Sequence, residues 1–407
     1  VSDFIWLDYS EKDRRKMLDV VDLFKEHDTR DELGIGSVRD SFADQLFPGT
    51  STIMTRAKYF LLVAWTYDRL EKQRISSEHF PGRARRAEID LIEIIASSDD
   101  SEGNIGKFAK TTLKRLPSSV YWQGLHVWGI RNFGGAQAQY YRSLNQCYLR
   151  ADRHSRRTHE RDLEHDDLLE SNWHAGLVPA SAKFPNECSL SLTEEEAEYL
   201  RERIRLSPRS AGSLLAELVA RRERLDNVDF IWWLPCFAEL PLRLRQQIDH
   251  ARNFSELMHG APLLYNLILS EQERLEDRVE DYRSRFADWA RLMRERSSVL
   301  KAWKRTEFWE RAKARKAPIS DGTYDFVNAW WDHALISNPD ELVDKPAVRS
   351  LITNRERRLK KRLARIGNPR ARELWNGEAG SAQLEFRWQI SQRLLSDIFD
   401  GLEGENA

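Results

Sequence analysis

"DELGIGSVRDSFADQLFPGTSTIMTRAKYF", Asp31 to Phe60, decides between two fold classes. Read as a glycine-rich loop ahead of a helix, it would announce a nucleotide-binding α/β domain. A dinucleotide fingerprint needs a third glycine so that the helix can pack close to its strand, but after Gly34 and Gly36 that place holds Arg39. A Walker loop needs a lysine that reaches the outer phosphates, and "FPGTST", Phe47 to Thr52, has none. The glycines and hydroxyls then read as helix punctuation. Gly34 and Gly36 interrupt one helix, Pro48-Gly49 turns the chain, and Thr50 or Ser51 caps a helix running to about Glu71. A phosphate at that new helix N-terminus, assisted by Arg56 and Lys58, is the alternative left open.

The rest of the composition agrees with helices. Charged residues make up 32% of the 407, while glycine (19) and proline (13) are scarce, which favours long solvated helices over strands joined by tight turns. The 14 Trp, 17 Phe and 11 Tyr supply large apolar bodies for a core. The expectation is an all-α, multidomain protein, since a single core rarely serves a chain of this length. "GLVPASAKFPNECSLS", Gly176 to Ser191, has the character of a connector and separates an N-terminal domain, 1–175, from a C-terminal one, 190–407. Cys147, Cys188 and Cys236 are far apart, and with no leader apparent they point to a reducing, cytoplasmic setting. "YFLLVAW", Tyr59 to Trp65, is far shorter than the ~20 apolar residues that span a bilayer.

Helix signals recur along the chain. Ser10 and Asp13 resemble a capping box for a helix from Trp6 to Phe24, and Thr193 with Glu196 forms another. Ser207-Pro208 reads as a cap followed by proline at the first helical position. Between Leu263 and Ala317 there is neither glycine nor proline. There Leu275, Val279, Tyr282, Phe286, Trp289 and Met293 alternate spacings of four and three, as in a long helix packed within the fold or a short coiled coil.

Total charge is balanced, 64 Lys plus Arg against 65 Asp plus Glu, so any affinity for nucleic acid must come from segregation. Two segments are segregated. From Gly103 to Arg157, Lys107, Lys110, Lys114, Arg115, Arg131, Arg142, Arg150, Arg153, Arg156 and Arg157 face Asp152 alone, with eight aromatic rings interleaved. In "NRERRLKKRLARIGNPRAR" the basic residues Arg355, Arg357, Arg358, Lys360, Lys361, Arg362, Arg365, Arg370 and Arg372 face Glu356 alone. Lysine and arginine bind phosphates through counterion release, and exposed rings stack on unpaired bases. The expected DNA-binding residues are Lys107, Lys110, Lys114, Arg115, Arg131 and Arg142 in the first block, with Arg358, Lys361 and Arg362 in the second. "IGKFAKTTLKRLPSSVYWQGLHVWGI" further suggests two helices around Pro117, a helix-turn-helix-like unit capped by Ser118 or Ser119. The competing reading of Tyr121, Leu125 and Trp128, three and four apart, is a buried stripe.

Catalytic signals are incomplete. No nucleophile elbow, zincin or kinase signature occurs, and Cys147, His154, His159 and His165 match no common zinc spacing. The cluster from His159 to Asp167 is where a divalent metal would sit if the chain were an enzyme of unfamiliar type; a surface run paired with the basic block is the simpler reading. No metal and no cofactor is expected.

"WLDYS", the Asp31–Leu62 stretch, "HARNFSELMHGAPLLYNLIL" and "FRWQISQRLLSDIF" together resemble, almost end to end, an uncharacterised bacterial family known only as a domain of unknown function. The resemblance implies a setting: genes beside a helicase and a phospholipase-D-like nuclease, as in antiphage defence neighbourhoods. It carries no catalytic residues. The resulting expectation is a non-enzymatic DNA-binding or scaffolding subunit, partnered by DNA, helicase and nuclease through basic blocks, long helices and Trp-rich surfaces, and with no membrane contact. The alternatives are an enzyme with the His159–Asp167 metal site and a scaffold without DNA contact.

Overall fold

The structure, a computed structural model, describes residues 31–98, 100–160, 171–225, 227–314 and 318–404; the side chains of Lys110 and of 154–160 lie outside that description. The described residues are helical, with no strand beyond one isolated bridge, Arg131 to Trp173. The all-α expectation holds. The helix expected from Trp6 to Phe24 falls outside the described residues. The chain divides into two compact units, each assembled from two segments: Val1–Phe42 with Gln247–Leu384, and Ala43–Gln246 with Glu385–Ala407. The Gly176–Ser191 connector lies inside the second of these, where Trp65 Nε1 donates to the Val178 carbonyl at 2.7 Å.

In the Val1–Phe42/Gln247–Leu384 unit, the centre is the helix Leu242–Glu273, whose residues Ala261 to Ser270 are all buried. A helix surrounded on every side must be apolar all round or satisfy its polar groups internally. Asn266 does the second: its amide donates to the Pro262 and Ala379 carbonyls and accepts from Trp375 Nε1 and the Ala379 N–H. The heptad seam packs inside this unit from Tyr282 on, while Leu275 is exposed ahead of the helix and Val279 is half-buried. Tyr282, Phe286, Trp289 and Met293 of the helix Glu276–Glu295 are buried, and the Trp289 ring leaves no room for a Cβ at Gly260, which would sit 2.5 Å from it. The uninterrupted run expected from Leu263 is in fact broken at Arg274, which takes a left-handed φ of 57°, and again at 296 and 303–304. Nothing in the residue types there marks those breaks.

In the other unit, the helix Tyr59–Lys72 is buried from Tyr59 through Tyr67, which explains the apolar run "YFLLVAW" as core. Phe60 stacks on Trp128 at 3.7 Å and takes Tyr121 edge-on at 5.0 Å, so the stripe reading of Tyr121, Leu125 and Trp128 holds. The expected cap at Thr50 or Ser51 does not form. Thr50 Oγ1 donates to the Phe47 carbonyl, and the helix starts at Tyr59 with the Ala57 N–H given to the Asp397 carboxylate at 2.6 Å. That cap comes from the helix Trp388–Glu403, hundreds of residues away in sequence. The Thr193–Glu196 capping box is present. Ser207 instead ends the helix Glu194–Leu206, and Ser213 caps the next one at Leu214–Arg221. No helix among the described residues is long and apolar enough to cross a membrane. Among the described tryptophans Trp233 is the exposed one, so the ring-rich surfaces expected to hold partners are interior instead.

Candidate nucleic-acid interface

The first basic block does not form a helix-turn-helix. Residues 105–116 hold only a 3-10 turn, Lys110–Thr112, and the helix that follows, Pro117–Val127, buries Val120, Tyr121, Trp122, Gly124 and Leu125. A helix so covered cannot enter a groove. Its N-terminus is not capped by Ser118 or Ser119 either: the Ser118 N–H donates to Glu88 Oε2 at 2.7 Å.

The loop is nevertheless built and held. On its N-terminal side the Ile105 N–H donates to the Tyr59 hydroxyl, which in turn donates to Asn104, and Lys107 Nζ donates to Ser101 Oγ at 2.9 Å. On its C-terminal side the Arg85 guanidinium donates to the Thr111 carbonyl at 2.9 Å and the Leu113 carbonyl at 3.2 Å. Arg85 belongs to the helix Phe80–Ala96, so these bonds lace the loop to that helix's N-terminal end. There Arg83, Arg85 and Arg86 are all exposed, as are Lys114 and Arg115 of the loop. Lys107 is half-buried, and only the backbone of Lys110 is described. The helix has no acid in its first turn, and arginines near a helix N-terminus add to the positive end of the dipole when helices ordinarily prefer anions there. The arrangement concentrates positive potential where an anion would relieve it. In the same loop Phe108 is 94% exposed.

Arg83, Arg85 and Arg86 were missed by counting the block from Gly103; the signal was the run "GRARR", Gly82 to Arg86. Two expected residues lie apart from the patch. Arg131 is 1% exposed: it donates to the carbonyls of Trp122, Phe133 and Gly135, and its guanidinium lies 4.1 Å from the Trp122 ring centre. Burial pulls its pKa down to about 10. It is a core brace, because a guanidinium spent on carbonyls has nothing left for a phosphate. Arg142 is exposed, but on the helix Gln137–Glu160, where its Nε donates to the Ala138 carbonyl.

The second block splits along its helix. In the helix Pro346–Lys360 the buried stripe Val348, Ile352, Arg355, Glu356 and Lys360 faces inward. Arg355 donates to the Leu33, Gly34 and Gly322 carbonyls and to Thr323 Oγ1. Gly34, at φ +66°, passes directly beneath it, and a Cβ there would lie 2.4 Å from the guanidinium. Glu356, fully buried, accepts from the Tyr265 hydroxyl and from the N–H groups of Arg365 and Ile366. Glu32 pairs with Arg365 at 2.7 Å and Lys360 at 3.5 Å, and burial still lifts its pKa above the usual carboxylate range. Arg372 pairs with Glu273. The outer half, Arg357, Arg358, Lys361, Arg362 and Arg370, is exposed.

The opening glycines have a structural role. Asp31 accepts the N–H groups of Ile35 and Gly36 at 2.8 and 2.7 Å, occupying with its own carboxylate the place a phosphate would take. Two buried carboxyls are perturbed in the Ala43–Gln246/Glu385–Ala407 unit. Glu88, whose partners are the Ser118 N–H and the Tyr67 hydroxyl, is pushed up to about 7 by burial, and Asp397 to about 6 by burial against the pull of Arg56. No group of three or more metal-ligating side chains occurs among the described residues, and most of the His159–Asp167 cluster lies outside them.

The structure thus defines an all-α protein with a laced basic patch and, in the same loop, an exposed phenylalanine. The chain belongs to DUF6361, a family of unknown function, which it matches over residues 1–401. No curated protein and no solved structure matches it.

Proposed function

We propose that this protein is a DNA-binding subunit of a bacterial antiphage defence complex, in which helicase and phospholipase-D-like nuclease partners carry out the chemistry. The observation that carries the DNA contact is the patch itself: four exposed cations, Arg83, Arg86, Lys114 and Arg115, from a helix end and a loop tied together by Arg85, in a chain of nearly zero net charge. Cations that meet a phosphate backbone release its condensed counterions, and grouping them on one face lets several do so at once. The setting and the partners rest on the family resemblance. The outer half of the second block, with Arg358, Lys361 and Arg362, is an additional basic face on its own unit. The test is equilibrium binding of the intact chain to labelled duplex and single-stranded DNA at low salt. Micromolar or tighter binding is expected; absence of binding to both would leave the patch as a docking face for an acidic protein and overturn the DNA reading.

A further inference from the structure

We infer that the patch takes an unpaired DNA strand, with the Phe108 ring stacking on one of its bases, an inference that rests on the patch being a nucleic-acid interface. Of the eight rings in the first block, Tyr121, Trp122, Trp128 and Tyr140 are buried. The half-buried ones have partners: Phe133 packs on Tyr140 at 5.6 Å, Tyr141 bonds Tyr67, and Tyr148 donates to the Ile75 carbonyl. Phe108 alone, at 94% exposure, adds nothing to the core. Its exposure is not that of a loose loop tip. The bonds from Lys107 to Ser101, from Thr112 Oγ1 to the Ala109 carbonyl, and from Arg85 to Thr111 and Leu113 fix the backbone on both sides of it. A loop whose backbone is already fixed loses little backbone entropy when its ring stacks, which favours binding.

What the ring can touch is set by its neighbours. Arg83, Arg86, Lys114 and Arg115 would track a sugar-phosphate backbone, and the ring would then meet what hangs from that backbone. In a duplex the base faces are covered by their neighbours, so the stack exists only on a strand whose bases are unpaired. An anionic membrane also attracts cations, but insertion needs a broad apolar face rather than one ring.

The experiment measures the intact chain on oligo(dT), on a duplex of equal length, on a single strand carrying 2-aminopurine, and on phosphatidylserine vesicles. Phe108→Ala should weaken single-strand binding about five- to 150-fold, the range for removing one base stack, and change duplex binding less than about twofold. The 2-aminopurine quenching should disappear with it, and Phe108→Trp should restore both. The stacking role is overturned if Phe108→Ala leaves single-strand binding intact, weakens strand and duplex alike, or weakens only vesicle binding. Arg86→Glu with Lys114→Glu and Arg115→Glu separates the two levels: if it abolishes DNA binding that Phe108→Ala leaves alone, the patch stands and the stack falls. If it too changes nothing, the interface itself is wrong.

Discussion

The two basic blocks look alike in sequence and end in opposite places. In the first, Lys114 and Arg115 of the loop and Arg83, Arg85 and Arg86 of the adjoining helix end are exposed, and among the described side chains Arg131 is the buried one. In the second, Arg355, Lys360, Arg365 and Arg372 are buried, and each has a carboxylate or a set of carbonyls waiting for it. A run of arginines therefore says little about binding until the acids and carbonyls around it are known. Burying a guanidinium is tolerated only with full compensation, and Glu32, Glu273 and the Leu33, Gly34 and Gly322 carbonyls supply it here.

The contrast can be broken at its strongest point first. Glu356→Ala removes the acceptor of three buried bonds and should destabilise the protein by about 3–5 kcal/mol, measured by urea denaturation. An effect under about 1 kcal/mol would mean that the inner half of the block is not structural. A smaller effect follows from Glu88, whose hydrogen-bond partners are neutral where those of Glu32 are cations. An acid whose folded pKa is raised, here from 4.5 to about 7, takes up a proton on folding between those values. Its contribution to stability thus falls as pH rises from about 4.5 to about 7 and is level above, on the order of 3 kcal/mol at most. Glu88→Gln mimics the neutral form, so it should match the parent at pH 4.5 and exceed it above pH 7; Asp397, raised in the same direction, leaves a residual slope. His126, His174, His250 and His259, held low by burial, pull the other way in parent and variant alike, so the difference between the two is what counts: a Glu88→Gln advantage that does not grow across that window would contradict the assignment. Smallest of all, reversing exposed Arg358, Lys361 and Arg362 to glutamate should shift stability by no more than about 0.5 kcal/mol per residue.

Much of the architecture was legible because helices announce themselves locally. The failed fingerprint at Arg39, the scarcity of glycine and proline and the Thr193–Glu196 box all point to helix, and helix is found. The inward half of the second block was not read as such, although Arg355, Glu356 and Lys360 continue the stripe begun by Val348 and Ile352 at spacings of three and four. Caps supplied from elsewhere were not legible: Asp397 serves Ala57, and Glu88 serves Ser118, across separations that no local pattern encodes. Arg131 was misplaced for the same reason, its partners being carbonyls that only the folded chain brings together. Of the candidate site, Lys114 and Arg115 could be read directly, whereas their joining to Arg83 and Arg86 needed the bonds made by Arg85.

The central claim is that this patch binds phosphates, and the salt dependence of DNA binding tests it most directly. With affinity for a duplex measured across a salt series, the parent should show a steep negative log–log slope. Arg86→Glu, Lys114→Glu and Arg115→Glu together should flatten that slope by about 2.7, near 0.9 for each phosphate no longer neutralised. A triple variant that keeps both the parent's affinity and its slope would contradict the account.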